Sequence, residues 1–348
     1  MKPILFPFLF LLAFTLIPIA SNAKIIETPF KPLPTKAPAP KDNPTTPAKV
    51  ELGKLLYFDP RLSKDGTVSC NSCHNVMSNG TDNRAVSAGI NGQLGGRSAP
   101  TVWNSALHSV QFWDGRAATL EDQAKGPLTN PIEMGMPSHQ AVMERIKTIP
   151  GYVTQFEKVF GKGGMTIDNL AKAIAAYERT LLTPDSPLDR YLRGDEKALS
   201  AQAVRGMKTV MEVGCVACHT GVNLNGANLE PGQGFYQKFP TFTENEYVAK
   251  YKFLDDKGRG GVTKDEGDDH FWRVPTWRNV ALTAPYFHNG AVKTLPEAVR
   301  VMAKVQLNKD LTDTQVADIV EFLKSTTGKF PAQSMPRLPE SETFSTVE

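Results

Sequence analysis

Cys70-Asn71-Ser72-Cys73-His74 and Cys215-Val216-Ala217-Cys218-His219 contain all four cysteines of the chain. In each, two thiols three residues apart are followed at once by an imidazole, the attachment signature of c-type haem. The thiols can meet the two vinyl groups on one porphyrin edge while the adjacent histidine turns a nitrogen to the iron. Two motifs imply two covalently bound haem c groups. The same cysteines could instead hold zinc, or one pair could form a dithiol redox couple. Zinc sites rarely place a histidine directly after both pairs, and a dithiol leaves both histidines unexplained, so haem is the better reading.

The elements that must carry these motifs read as helices. Thr46-Pro47 is a cap and first-turn pair before Val50, Leu52, Leu55 and Leu56. Ser138 opens a segment with Ala141, Val142 and Ile146 on one face, ended by Pro150-Gly151, and Thr166 opens another with Ile167, Leu170, Ile174, Tyr177 and Leu181. A helix after Ser200 runs toward Cys215, and Thr312 with Gln315 forms a capping box before Val316, Ile319, Val320 and Leu323, closed by Gly328. Strand alternation is scarce. The fold class expected is mainly α, as two cytochrome c-like domains each organised by one haem.

Met1 to Ala23 has a basic start at Lys2, an apolar run from Ile4 to Ala20 and small residues Ser21 and Ala23, the pattern of a cleaved secretory signal peptide. A membrane anchor is the competing reading, but the run is short and broken by Pro7 and Pro18. Export to a bacterial periplasm suits covalent haem attachment, and no later stretch is apolar enough to span a membrane after signal cleavage. The formal charge of +3 is too mild to argue for nucleic acid or anionic lipid as partner. Thr28 to Pro47 reads as an extended arm, the Gly- and Asp-rich stretch holding Asp255-Asp256 and Asp265 to Asp269 as solvated loop without an EF-hand spacing, and the segment after Phe330 as a loosely held tail.

The chain resembles the bacterial di-haem cytochrome c peroxidases over nearly all of its mature length. The matching blocks are Leu55 to Ser63, the first haem motif with Gly80-Thr81-Asp82, Gln111-Phe112-Trp113-Asp114-Gly115-Arg116, Ala124-Lys125-Gly126-Pro127, and Pro285-Tyr286-Phe287-His288. The resemblance implies a domain order of signal peptide (1–23), N-terminal low-potential peroxidatic domain (24–187), C-terminal high-potential electron-transfer domain (188–330) and tail (331–348). His74 and His219 would be the proximal ligands. Met302 would be the second axial ligand of the C-terminal iron, where a thioether raises the potential. Read from the helix alone, Met302 is core filling.

At the N-terminal iron, Glu133 matches the distal acid that moves a proton between the oxygens of hydrogen peroxide, and Gln123 a pocket amide that can hydrogen-bond it. Trp113 matches the aromatic residue between the haems. Calcium between the domains would take the backbone carbonyls of Thr283 and Pro285, with Ser98 where relatives carry asparagine, a shorter and poorer ligand. Many relatives have a histidine sixteen positions after the first haem histidine that caps the resting peroxidatic iron; this chain has Ile90. Isoleucine cannot ligate, so the oxidised first haem is expected to be five-coordinate or water-bound unless His108, His139, His270 or His288 substitutes. The implied activity is reduction of hydrogen peroxide to water with electrons from a small c-type cytochrome or cupredoxin, in a homodimer. The alternative is a di-haem electron-transfer or redox-sensing protein without significant peroxidase turnover.

Overall fold

The computed structural model describes residues 25–341. The leader read at residues 1–23 lies outside them, as do the last seven positions of the tail. Among the described residues no helix is long and apolar enough to cross a membrane. The chain is mainly helical.

The N-terminal half runs through α1 (Pro47–Phe58), α2 (Cys70–Cys73), α3 (Leu120–Thr129), α4 (His139–Lys147), α5 (Pro150–Phe160) and α6 (Ile167–Glu178). The C-terminal half has α7 (Pro187–Leu192), α8 (Ala201–Val213), α9 (Glu246–Lys250), α10 (Gly260–Thr263), α11 (Leu295–Leu307) and α12 (Asp313–Lys324). The expected caps are in place: Thr46, Ser138, Thr166, Ser200 and Thr312 each accept a hydrogen bond from a first-turn N–H. Two expected stops are different. Pro150, read as ending α4, is the first residue of α5, where its missing N–H is no loss. Helix α12 ends at Lys324, and Gly328 lies beyond it, where a Cβ would collide with the Thr183 carbonyl.

In each half two helices cross at a glycine. A Cβ on Gly53 of α1 would stand 1.9 Å from the Ala173 carbonyl oxygen of α6, and one on Gly206 of α8 would stand 1.9 Å from the Asp318 carbonyl oxygen of α12. Backbone contact this close admits no side chain. Around these crossings lie separate apolar clusters, one including Leu52, Leu56, Tyr57, Ile174 and Tyr177, the other Met207, Val210, Ile319 and Phe322. A third cluster, with Phe239, Phe253, Trp272 and Val301, packs beside the second.

The likeness extends to the loops. Residues 100–127 repeat as 275–302 in backbone and partly in sequence. Asn104 and Asn279 have φ of 65° and 62°, Phe112 and Phe287 66° and 70°, and Gly115 and Gly290 68° and 59°. Isolated bridges close equivalent turns at Gln111–Ala117 and Tyr286–Val292. Thr119 and Thr294 then cap α3 and α11.

The chain ends cross over. Phe30 of the arm packs on Phe322 (5.5 Å between centroids) and Trp277 in the C-terminal half, and the Leu33 N–H donates to Asp189. The tail returns to the N-terminal half, where Phe330 meets Trp103 edge-on at 5.0 Å and the Tyr177 hydroxyl donates to Gln333 at 3.0 Å. These contacts hold the start of a segment expected to be loose. A two-stranded antiparallel ribbon, β1 (Tyr236–Lys238) with β2 (Phe271–Arg273), sets Arg273 opposite Tyr236.

Candidate functional site: two cavities with one shared wall

Each Cys-x-x-Cys-His motif lines its own cavity. The first, about 450 Å³, is bounded by Cys70, Cys73 and His74; the second, about 220 Å³, by Cys215, Cys218 and His219. Ser98 to Thr101, His108, Trp113 and Arg273 line both, so this segment is the wall between them.

Local structure aims the two histidines alike. Ser69 and Ser72 form a capping box that starts the turn of α2, and His74 follows as its C-cap. The His74 Nδ1 lies 2.8 Å from the Pro100 carbonyl, and the His219 Nδ1 lies 2.9 Å from that of Leu224. A carbonyl at Nδ1 assigns the proton there and leaves Nε2 as the free lone pair. Burial lowers both pKa values, that of His219 to about 4, so both imidazoles are neutral. The second ring stacks on Trp277 at 4.2 Å.

These walls suit a haem. All four cysteines are free, and burial pushes the Cys70 thiol up to about 12 and that of Cys215 to about 11, which keeps them protonated. The Arg273 guanidinium is buried and donates to the Phe112 carbonyl and to His108, with no carboxylate in ion-pair range among the described residues. Its pKa is pushed down to about 10 by burial. A buried cation without an anion is costly, and the carboxylates of a haem would supply the missing partner on either side of the wall.

The remaining wall residues separate the cavities chemically. Glu133 and Gln123 both line the first. The Asn130 amide donates to Glu133 Oε1 at 2.9 Å, and burial raises the Glu133 pKa, with Arg116 opposing. Met302 lines the second cavity with Leu295, Ala298, Val299 and Leu323. In the repeat, Met302 falls on Pro127, which lines the first cavity, and Ala298 falls on Gln123. The first cavity thus has a proline where the second has a thioether, and an amide where the second has a methyl.

Trp113 stands in the shared wall, its indole N–H donating to the Ser98 carbonyl at 2.8 Å, while the Ser98 N–H donates to the His288 carbonyl at 2.7 Å. Ser98, Thr283 and Pro285 all line the second cavity, and the Ser98 hydroxyl lies 3.5 Å from the Arg84 carbonyl. Backbone and hydroxyl oxygens suit a hard cation; among the described residues no cluster of carboxylates, histidines or cysteines joins them. Ile90 is not on the cavity wall. It is 4% exposed in the N-terminal core, and its N–H donates to the Glu133 carbonyl. Of the four histidines considered as substitutes, His139 is bonded to the Lys125 carbonyl and His270 to that of Asp256, and neither lines the first cavity. His288 lines only the second, stacked on Trp272. His108 lies in the wall with its Nδ1 held by Asn225 and Arg273.

Several residues escaped sequence reasoning. Asp256, assigned to solvated loop, forms a two-pronged ion pair with Arg97, which also binds buried Asp114 on the first cavity. Arg273 and Glu178 were likewise not placed there, since nothing in their spacing points to a cavity.

A family model described as di-haem cytochrome c peroxidase matches residues 47–197. Cytochrome c551 peroxidase of Pseudomonas aeruginosa is 46% identical over 90% of this chain and 88% of its own. The chain belongs to the di-haem cytochrome c peroxidase family. The cytochrome c551 peroxidase of Nitrosomonas europaea is 44% identical over 84% of this chain and 83% of its own. Among solved structures, a MauG-like protein associated with microbial copper homeostasis aligns with a TM-score of 0.72 at 29% identity, covering 89% of this chain and 95% of that one. These peroxidase relatives settle the reaction class.

Proposed function

We propose that the enzyme reduces hydrogen peroxide at the first cavity with electrons that enter through the second, using two haem c groups attached through Cys70 and Cys73 and through Cys215 and Cys218. His74 and His219 would hold the irons, and Met302 would close the second. Haem iron supplies the electron-transfer and oxygen–oxygen bond chemistry when bound. The observation that carries this reading is the polarity difference: Glu133 and Gln123 face the first cavity, whereas the helical position of Met302 is taken there by a proline that cannot ligate.

In the first cavity Glu133 is the proton carrier. As a carboxylate with a raised affinity it takes a proton from the inner peroxide oxygen and returns it to the outer one, which leaves as water. The Asn130 amide orients it, and the Gln123 amide hydrogen-bonds the peroxide. Trp113, in the wall, places an aromatic ring between the two redox sites. Ile90, packed in the core rather than on the wall, supports an oxidised first iron open to peroxide without prior reduction.

The signal-like leader and the haem motifs support a periplasmic enzyme, and the family resemblance supports a small c-type cytochrome or cupredoxin as donor, a homodimer, and the division into domains and tail given above. Ser98, Thr283 and Pro285 would hold calcium weakly, since the hydroxyl is a short ligand. Steady-state oxidation of a reduced small cytochrome by hydrogen peroxide tests the reading. Rapid turnover that collapses in Glu133→Gln with both haems retained supports it; negligible turnover in the wild type favours an electron-transfer or sensing protein.

A further inference from the structure

One ionisable group on the first cavity has no role in the chemistry above. Glu178 is the last residue of α6, is 6% exposed, and lines this cavity with Cys70, Ile174 and Ala124. Its Oε2 is buried with no hydrogen-bond partner. A buried carboxyl left unpartnered is a cost that folding alone gives no reason to bear.

The other half of the molecule shows what the wall needs there. The Gly53 crossing sets Ala173 and Tyr177 where the Gly206 crossing sets Asp318 and Phe322, which aligns Glu178 with Leu323. Leu323 lines the second cavity, next to Ile319 as Glu178 is next to Ile174. A leucine therefore completes the haem-facing side of this helix. The carboxyl in its place adds something other than packing.

The groups around it do not neutralise its charge. Arg179, the C-cap of α6, is paired through Nη2 with Glu121 of α3, and Glu121 itself repels a negative charge on Glu178. Tyr57 of α1 and Tyr177 of α6 stay protonated beside it, and Cys70 of α2, a thioether once the haem is attached, carries no charge. Burial first, and Glu121 second, raise the Glu178 pKa to about 8, against the opposing pull of Arg179. Near neutral pH the group is therefore poised to respond to a change of charge in the cavity. Ferric haem carries one more positive charge than ferrous haem and favours the carboxylate; reduction favours the acid.

We propose that Glu178 is the proton-exchanging group of the first haem site: its carboxylate binds a proton as that haem gains an electron, and its carboxylic acid releases the proton on oxidation. The electron comes from the reductant of the peroxidase reaction and the proton from solvent. It binds a carboxylate oxygen, and no bond to carbon or metal is made or broken. Because peroxide reduction consumes two protons with two electrons, the site would receive one of each together. The proposal rests on the assignment of a haem to this cavity but not on peroxide turnover.

Spectroelectrochemical titration of the doubly haem-loaded protein across neutral pH, without peroxide, tests it. The midpoint potential of the first haem should fall with pH at one proton per electron. The fall should vanish in Glu178→Gln and Glu178→Leu, persist in Glu133→Gln, and leave the second haem's potential unchanged. A wild-type potential independent of pH, or a slope that survives Glu178→Gln, would overturn the proposal. If the variants do not retain haem, the reduced-minus-oxidised infrared spectrum of Glu133→Gln decides. A protonated-carboxyl band gained on reduction supports the proposal, and its absence contradicts it. Loss of peroxide turnover in the wild type with the slope intact would count against the enzymatic reading and leave this one standing.

Discussion

The two halves of this molecule solve one problem twice and then diverge on the cavity wall. Each crosses two helices at a glycine, each turns through the same asparagine, phenylalanine and glycine conformations, and each holds its histidine by a backbone carbonyl. The scaffold for a haem is thus common to both. What differs is a handful of side chains pointed at it: Pro127 against Met302, Gln123 against Ala298, Glu178 against Leu323, with Glu133 added from a loop. Reactivity here is set by the lining and not by the fold, so exchanging linings should exchange properties.

The largest change should come from Pro127→Met, which gives the first cavity the side chain proposed to close the second iron. Peroxide turnover should be lost, and the absorption spectrum should gain a second methionine-ligated low-spin haem, because an occupied sixth position excludes substrate. An unaltered first haem would break the correspondence between α3 and α11.

Glu133→Gln comes next, with turnover down about 10²- to 10⁴-fold, the usual contribution of a positioned proton carrier. The pH profile gives an independent check. The working form is the carboxylate, and burial raises its pKa, so wild-type turnover should decline as pH falls through a value higher than that of a solvent-exposed glutamate. Single-turnover kinetics on the variant should lack that limb.

The shared scaffold can be tested by Gly53→Ala and Gly206→Ala. Either methyl meets a carbonyl oxygen and must push the crossing helices apart, so each should destabilise its half by about 1–3 kcal/mol or more in denaturant unfolding followed at the corresponding haem. Similar losses at both sites would sharpen the likeness; harm at one alone would weaken it. The smallest effect is expected from Gln123→Ala, which copies the second cavity's residue: about a tenfold loss in kcat/KM for peroxide, the worth of one hydrogen bond.

Much of this was legible in the chain. The haem motifs, the capped helices and the residues carried by the family resemblance are local patterns, and Glu133, Gln123, Trp113 and Met302 do reach the cavity walls. Partners brought together by the fold were not legible. Asp256 reads as one acid in a charged loop until Arg97, far away in sequence, is set against it. Glu178 sits in an apolar helical stretch where its neighbours predict core, and only the fold shows that its face of the helix borders a cavity. Pro150 reads as a stop where it is a start, because a proline both bars helix continuation and favours helix initiation, and the sequence does not say which will apply.

The central claim is that one iron is left vacant and the other is closed by sulfur. Low-temperature electron paramagnetic resonance of the fully oxidised, doubly haem-loaded enzyme tests it directly. One high-spin ferric haem and one low-spin haem are expected, with the low-spin signal lost in Met302→Ala. Two low-spin haems in the oxidised wild type, the first bearing a second imidazole, would contradict it.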